Sequence, residues 1–137
     1  MITELVGYRE VEHTADWELE VWATDLPGLL EQAARGMAQL SGMRLQPEPR
    51  VARSLSLSAN DPETLLVMFL SELLYYSEQE RIGFDKFLIT LEGFELQAEL
   101  EGAQLASLDK EIKAVTYHRL AVRQEEGKLM VNIVFDV

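Results

Sequence analysis

The sequence predicts an α+β fold, a single domain over residues 1–137 in which two helices pack on one face of a largely antiparallel, mixed β-sheet. Three observations lead to this prediction. The chain has 137 residues, of which 47% are hydrophobic, and this is enough for one buried core. Two segments repeat apolar residues at helical spacing, and several others alternate apolar and polar residues. The resulting order is strands, helix, strand, helix and then mostly strands, which is typical of an α+β domain.

The N-terminal part of the chain contains two predicted strands and a helix. Residues 8–13 and 18–23 alternate as strands do, and in the second strand we expect the face opposite Trp22 to be buried. Asp25 suits a helix N-cap because its carboxylate can accept a bond from the first free backbone N–H groups. An apolar stripe follows it and predicts a helix over residues 26–40.

A proline-containing segment and a strand connect the two predicted helices. Pro47 and Pro49 each remove a backbone donor and keep the preceding residue out of the helical region, so residues 46–49 are predicted to be an extended loop. Residues 51–58 alternate between apolar side chains and mainly serine, which predicts a strand with one buried face.

The second predicted helix supplies much of the core. Asn60 or Asp61 caps it, and Pro62 opens it. Its leucines and Phe69 fall in adjacent pairs every four residues, which makes a wide apolar face that another element must cover.

The C-terminal half of the chain predicts mostly strands. Residues 87–91 and 94–100 are separated by a turn at Gly93 and are predicted to form a hairpin. The remaining predicted segments are a polar connection and two final strands, at residues 102–111, 114–122 and 129–135.

Charge and cysteine content exclude several classes of protein. Twenty-four acidic residues against 12 basic ones give a net charge of −12, so we expect no direct, tight binding of nucleic acid. The absence of cysteine excludes disulfides, thiolate metal sites and cysteine nucleophiles. No apolar run predicts a membrane span or a signal peptide, so we expect a soluble, cytoplasmic protein.

Acidic groups at two places in the chain are candidate metal ligands. His13, Thr14 and Asp16 lie at the junction of two predicted strands, where they either stabilise the turn or carry chemistry. The carboxylate of Asp136 and the α-carboxylate of Val137 lie close together and repel each other unless a cation intervenes, or unless the end of the chain is frayed in solvent. If the first and last strands pair, Asp16 joins them in an all-oxygen site of the kind that holds Ca²⁺ or Mg²⁺.

The third candidate segment is residues 111–118, which contain the start of the strand predicted at residues 114–122. Lys113 is either an ordinary solvated lysine or a mobile cation that serves function. Tyr117 and His118 are neighbours and point to opposite faces of the predicted strand, so at most one belongs to the core. No phosphate-binding glycine loop, zinc-protease helix or nucleophile elbow occurs.

Four motifs in this order and spacing resemble the archease family, which assists the RNA ligase that seals tRNA halves. They are EHTADW at residues 12–17, DPETLLVMFLSELLYYSEQE at 61–80, EIKAVTYHRLAV at 111–122 and VFDV at 134–137. The resemblance implies an α+β fold in which Asp16 and Asp136 hold a divalent metal with Val137 nearby. It also implies that Lys113 is a required cation at the same face, and it gives His13 and His118 a supporting place around the metal.

The resemblance also implies a partner and an activity. The partner is the tRNA-splicing RNA ligase, and the family promotes guanylylation of its active-site histidine by GTP for repeated turnover, without being a ligase itself. This chain departs from many archeases at residues 40–42, where Leu-Ser-Gly replaces an acidic position, and it is also short.

Two other functions remain open from the residues. One is a metal-dependent hydrolase of nucleotides or RNA that uses the cation at Asp16 and Asp136 to activate water, with His13 as the general base. The other is a structural adaptor in which the metal only ties down the last strand.

Overall fold

A computed structural model describes residues 5–11 and 17–137, and this part of the chain forms two helices and eight strands. The predicted α+β class is confirmed. In chain order the elements are β1 (Gly7–Val11), β2 (Trp17–Ala23), α1 (Leu26–Ser41), β3 (Arg44–Ser58), α2 (Pro62–Glu80), β4 (Ile82–Glu92), β5 (Glu95–Ser107), β6 (Ala114–Val115), β7 (Arg123–Glu125) and β8 (Lys128–Asp136).

The strands divide between two sheets, whereas the sequence predicted one. The first sheet has the order β1-β2-β8-β6, with β7 also paired to β8, and the second sheet has the order β3-β5-β4. Every strand pair within residues 5–11 and 17–137 is antiparallel. Strand β8, the last in the chain, therefore lies inside the first sheet, between β2 on one side and β6 and β7 on the other.

One hydrophobic cluster joins both helices to both sheets. Its fully buried members include Leu19 of β2, Leu29 of α1, Phe69 of α2, Leu96 of β5 and Phe135 of β8. Burying a side chain of this size stabilises the fold by about 1.5–3 kcal/mol. The core thus fixes β2 and β8 firmly, and these two strands lead to the candidate site.

Both helices begin at the predicted caps. The Asp25 carboxylate accepts a bond from Gly28 N at 2.8 Å, and the Asp61 carboxylate accepts one from Thr64 N at 2.7 Å. The bonds from Thr64 favour the charged form and lower the pKa of Asp61. Helix α1 ends at Gly42, whose φ of 68° is left-handed and suits glycine.

The second sheet departs from the prediction in two segments. Strand β5 continues to Ser107, so the predicted polar connection at residues 102–111 is wrong over its first half. Residues 46–49 lie inside β3, but the pairing with β5 shifts register between Leu45 and Arg50, so the prolines interrupt the ladder rather than the strand.

The register shifts of β3 and β4 coincide with close backbone approach and a group of ion pairs. A Cβ on Gly102 would lie 1.8 Å from the carbonyl oxygen of Gly83, so this crossing requires glycine. Arg50 pairs with Asp85 of β4 and with Glu101 of β5, and the hydrogen bonds that its guanidinium donates to these two carboxylates raise the Arg50 pKa. These contacts link the three strands where their ladders are irregular.

Trp22 corrects the prediction that only one face of β2 is buried. Its side chain is 5% exposed although it lies opposite Val21, and a Cβ on Gly7 would lie 2.7 Å from its Cζ2 atom. The indole therefore covers Gly7 of the neighbouring strand.

Along residues 5–11 and 17–137, neither helix is long and apolar enough to cross a lipid bilayer.

Candidate functional site

The end of β8 lies between Trp17 of β2 and the segment that contains Lys113. On one side of β8, Trp17 of β2 pairs with Phe135. On the other side, Ala114 of β6 pairs with Asp136 and Val115 pairs with Phe135. The core residue Phe135 is 0% exposed, so the strand end that carries Asp136 is anchored by burial directly before it.

Lys113 and Asp136 are neighbours in the structure. The backbone N–H of Lys113 donates to the carbonyl oxygen of Asp136 at 2.8 Å. Both side chains are exposed, and neither makes a hydrogen bond or ion pair with any residue in the described ranges. An acidic and a basic residue are thus adjacent in backbone position where β8 pairs with the segment before β6.

Val137 has a different environment from Asp136. Its side chain is half-buried and packs against the core cluster, whereas Asp136 faces solvent. The valine side chain therefore helps to hold down the end of β8.

Asp16 and His13, which the sequence placed at the site, lie outside the described residues. Elsewhere in the chain, within residues 5–11 and 17–137, no group of three or more His, Cys, Asp and Glu residues is arranged to hold a metal ion. Of the predicted metal ligands, the structure describes Asp136 and Val137, and of the supporting histidines it describes His118.

The predicted strand at residues 114–122 is wrong beyond Val115. Thr116 still follows β8, since its backbone N–H and its Oγ1 both donate to Val134 O, at 3.0 and 2.9 Å. The chain then turns, with Leu120 N donating to Tyr117 O at 3.1 Å. Arg119 has a φ of 54°, and a left-handed residue cannot continue a strand.

Tyr117 and His118 are both exposed, so neither belongs to the core. Tyr117 is 58% exposed, which is unusual for a large aromatic side chain. The backbone N–H of His118 donates to Thr116 Oγ1 at 3.3 Å, and the structure gives the imidazole no hydrogen-bond partner among the residues it describes. The turn therefore presents Tyr117, His118 and Arg119 to solvent a few residues after Lys113.

The chain leading to Lys113 is held by the end of α1. The backbone N–H groups of Asp109 and Lys110 both donate to Ser41 O, at 2.9 and 3.0 Å. Ile112 is 6% exposed and lines an apolar cavity of about 50 Å³ between the ends of the two helices and β4. Lys113 thus extends from a well-anchored segment.

One contact near the site was not foreseen from the sequence. The carboxylate of Glu63, in the first turn of α2, accepts a hydrogen bond from Val122 N at 2.8 Å. The sequence indicated only that Glu63 suits the positive end of a helix dipole. No local pattern reveals a bond between residues this far apart in the chain.

Comparison with known proteins identifies the family. Residues 8–137 match the archease protein family. Proteins named archease from Pyrobaculum islandicum and Methanosarcina acetivorans are 29% and 32% identical to this chain, over 96% and 95% of it and the same shares of their own lengths.

Two solved structures share the fold. The crystal structure of an archease from Thermotoga maritima has a TM-score of 0.70 and 24% identity, covering 94% of this chain and 96% of that one. The solution structure of Methanobacterium thermoautotrophicum protein 1598 has a TM-score of 0.70 and 22% identity, covering 96% and 99%. With the family match over residues 8–137, the chain belongs to the archease family.

Proposed function

We propose that this chain activates the RNA ligase that joins a 2′,3′-cyclic phosphate or 3′-phosphate end to a 5′-hydroxyl end in tRNA splicing and RNA repair. It promotes the GTP-dependent guanylylation of the ligase's active-site histidine and so supports multiple turnovers, and it is not an enzyme itself. Membership of the archease family supports this proposal. Lys113 and Asp136 are chosen as site residues because Lys113 N donates a hydrogen bond to Asp136 O.

Lys113 is the residue we assign to partner activation. It follows the buried Ile112, so its backbone position is defined while its ammonium group is exposed. A flexible cation on an anchored backbone suits contact with a phosphate or with an acidic group of the ligase. His118 and His13 have a supporting role around the metal in this proposal.

We further propose that Asp16 and Asp136, with Val137 beside them, hold a divalent cation of the Ca²⁺ or Mg²⁺ kind. Carboxylate oxygens are the donors that these hard cations prefer, and the exposed Asp136 carboxylate fits this chemistry. Trp17 and Phe135, the chain neighbours of Asp16 and Asp136, are partners in the β2–β8 ladder. When bound, the cation would offset the repulsion between the carboxylates.

The charge of the chain is consistent with a protein partner. A net charge of −12 disfavours tight binding of RNA and favours a partner with a basic surface, such as an enzyme that handles RNA. Complementary charge of this kind mainly accelerates and orients docking.

The test is a multiple-turnover ligation assay. A cognate RNA ligase is mixed with GTP, a divalent metal and excess RNA ends, and products per ligase are counted with and without this protein. We expect more products per ligase with it than without it, together with faster transfer of labelled GMP to the ligase.

Two results would contradict the proposal. One is an unchanged number of turnovers over a wide range of concentrations of this protein. The other is chelator-sensitive release of product from nucleotides or RNA by this protein alone, which would identify a hydrolase. If the metal only stabilises the end of β8, a chelator would lower the Tm of this protein. Ligation would then be unaffected below that temperature.

A further inference from the structure

The segment from Thr116 to Val122 is irregular but is held at both ends. At its start, two donors of Thr116 converge on Val134 O, at 3.0 and 2.9 Å. At its end, Val122 N donates to the Glu63 carboxylate at 2.8 Å. The bonds at Thr116 attach the segment to the first sheet, and the bond at Val122 attaches it to α2. The segment therefore bridges two parts of the core.

Between these ties the side chains separate into buried and exposed groups. Leu120 and Val122 are half-buried and pack against the core cluster. Tyr117, His118 and Arg119 are exposed, with Tyr117 O closing the turn onto Leu120 N at 3.1 Å. The turn thus carries an aromatic ring, an imidazole and a guanidinium on a chain continuous with Lys113.

The turn contains backbone strain. Arg119 has a φ of 54°, in the left-handed region that residues other than glycine rarely adopt. Such a conformation persists only where surrounding contacts impose it. The bonds at Thr116 and Val122 are the contacts that close this turn on either side.

Glu63 is the acceptor that holds the far end of the segment. Its side chain is half-buried in the first turn of α2, and the Val122 N–H would otherwise lose a partner in a partly buried place. The α2 cap does not depend on it, because Asp61 receives the bond from Thr64 N. The contribution of Glu63 to the turn is therefore separable from the start of the helix.

We infer that Glu63 is a positioning residue of the ligase-activating site, which holds the Tyr117–Arg119 turn in place beside Lys113 so that the turn meets the ligase in a preformed conformation. This inference rests on the proposed function. A preformed turn avoids the entropy cost of ordering at docking, so its loss weakens association more than it slows the step that follows.

The experiment compares three variants of the full chain. Glu63→Ala removes the acceptor, Glu63→Gln keeps an amide oxygen at the same reach, and Asp61→Ala weakens the start of α2 without touching Val122. Amide exchange at Leu120 and Val122 is measured by NMR, and the ligase assay gives the concentration for half-maximal stimulation and the maximal rate.

We expect Glu63→Ala to accelerate exchange at Val122 and to raise the half-maximal concentration about fivefold, the equivalent of one lost hydrogen bond. The maximal rate stays near that of the wild type. Glu63→Gln should restore both values to within about twofold, and Asp61→Ala should leave the half-maximal concentration unchanged below its Tm.

Three outcomes overturn the inference and are distinguishable. If amide exchange at Val122 is unchanged in Glu63→Ala, the hydrogen bond from Val122 N to Glu63 does not hold the turn. Faster exchange with an unchanged half-maximal concentration shows that the turn does not meet the ligase, and it leaves the proposed function intact. No stimulation by the wild type removes the proposed function itself, and this inference with it.

Discussion

The backbone N–H of Lys113 donates a hydrogen bond of 2.8 Å to the carbonyl oxygen of Asp136. This bond continues the pairing of β6 with β8, in which Ala114 is the partner of Asp136. Both the ammonium group of Lys113 and the carboxylate of Asp136 are exposed to solvent. Backbone pairing therefore sets where the two side chains emerge, so either can be changed without removing a core contact.

Lys113→Ala is expected to reduce the stimulation of multiple-turnover ligation by about tenfold or more, since a hydrogen bond to a charged group is worth about 1.5–3 kcal/mol. The Tm should stay within a few degrees of the wild type, because the side chain is exposed. Products per ligase and thermal unfolding are the measurements.

Lys110→Ala is the matched control for Lys113. Lys110 is also an exposed lysine, and neither has an ion pair within the part of the chain that the structure describes. Equal loss of stimulation in both variants would indicate a general effect of charge rather than a specific role of Lys113.

Asp136→Asn and Asp16→Asn are each expected to weaken the binding of Ca²⁺ by about tenfold or more, because removing a charged oxygen donor lowers affinity for a hard cation. Titration calorimetry with Ca²⁺ and with Mg²⁺ measures this directly. Glu92→Gln removes an exposed carboxylate at the end of β4, in the second sheet, and serves as the control. Wild-type affinity in Asp136→Asn would exclude Asp136 as a ligand.

Asp61 is expected to make stability depend on pH in the acid range. Bonds from Thr64 lower its pKa in the folded state below the ordinary value of 3.8. A group with a depressed folded pKa contributes stability above its unfolded pKa, and this contribution is lost as the pH falls through the folded value. Asp61→Ala should therefore be less stable than the wild type near neutral pH, and the difference should shrink in acid.

Urea unfolding from about pH 7 to about pH 2 tests this expectation. Asp61→Asn is the control, because asparagine also caps helices but does not titrate. It should retain part of the stability at neutral pH, and its difference from Asp61→Ala should stay constant as the pH falls. A constant difference between wild type and Asp61→Ala at all pH values would contradict the assignment.

Gly102→Ala is expected to destabilise the fold by about 3 kcal/mol or more, since overpacking against rigid backbone is costly. The added Cβ would lie 1.8 Å from Gly83 O, and a carbonyl in a strand cannot move aside cheaply. Gly93→Ala is the control: its φ of 63° gives a strain of about 1 kcal/mol, with no atom within 4 Å of the new Cβ. Similar losses in both variants would show that the close approach at Gly102 is not limiting.

Local chemistry in the sequence predicted the helices well. Asp25 and Asp61 cap them through bonds to residues three positions away, and such short-range contacts are visible in the letters. The apolar periodicity of both helices and the hairpin around Gly93 depend equally on neighbours in the chain.

Longer-range features were predicted less well. The strand expected at residues 114–122 ends at Val115, because the chain turns at the left-handed Arg119 and Val122 N donates to the Glu63 carboxylate rather than to a neighbouring strand. The ladder in β3 shifts at residues 46–49 without ending the strand. Neither result follows from alternation, which reports the burial of one face but not the partner of each backbone group.

Residues close together in the chain were sufficient to predict the α+β class, the helix caps, the apolar faces of the helices and, through four motifs, the resemblance to archease. The division of the strands into two sheets, the place of β8 between β2 and β6, and the bond from Lys113 to Asp136 arise from contacts between distant parts of the chain. Those outcomes depend on which distant segments close onto each other. The free energy of that choice is shared across the whole core, so no single stretch of sequence contains it.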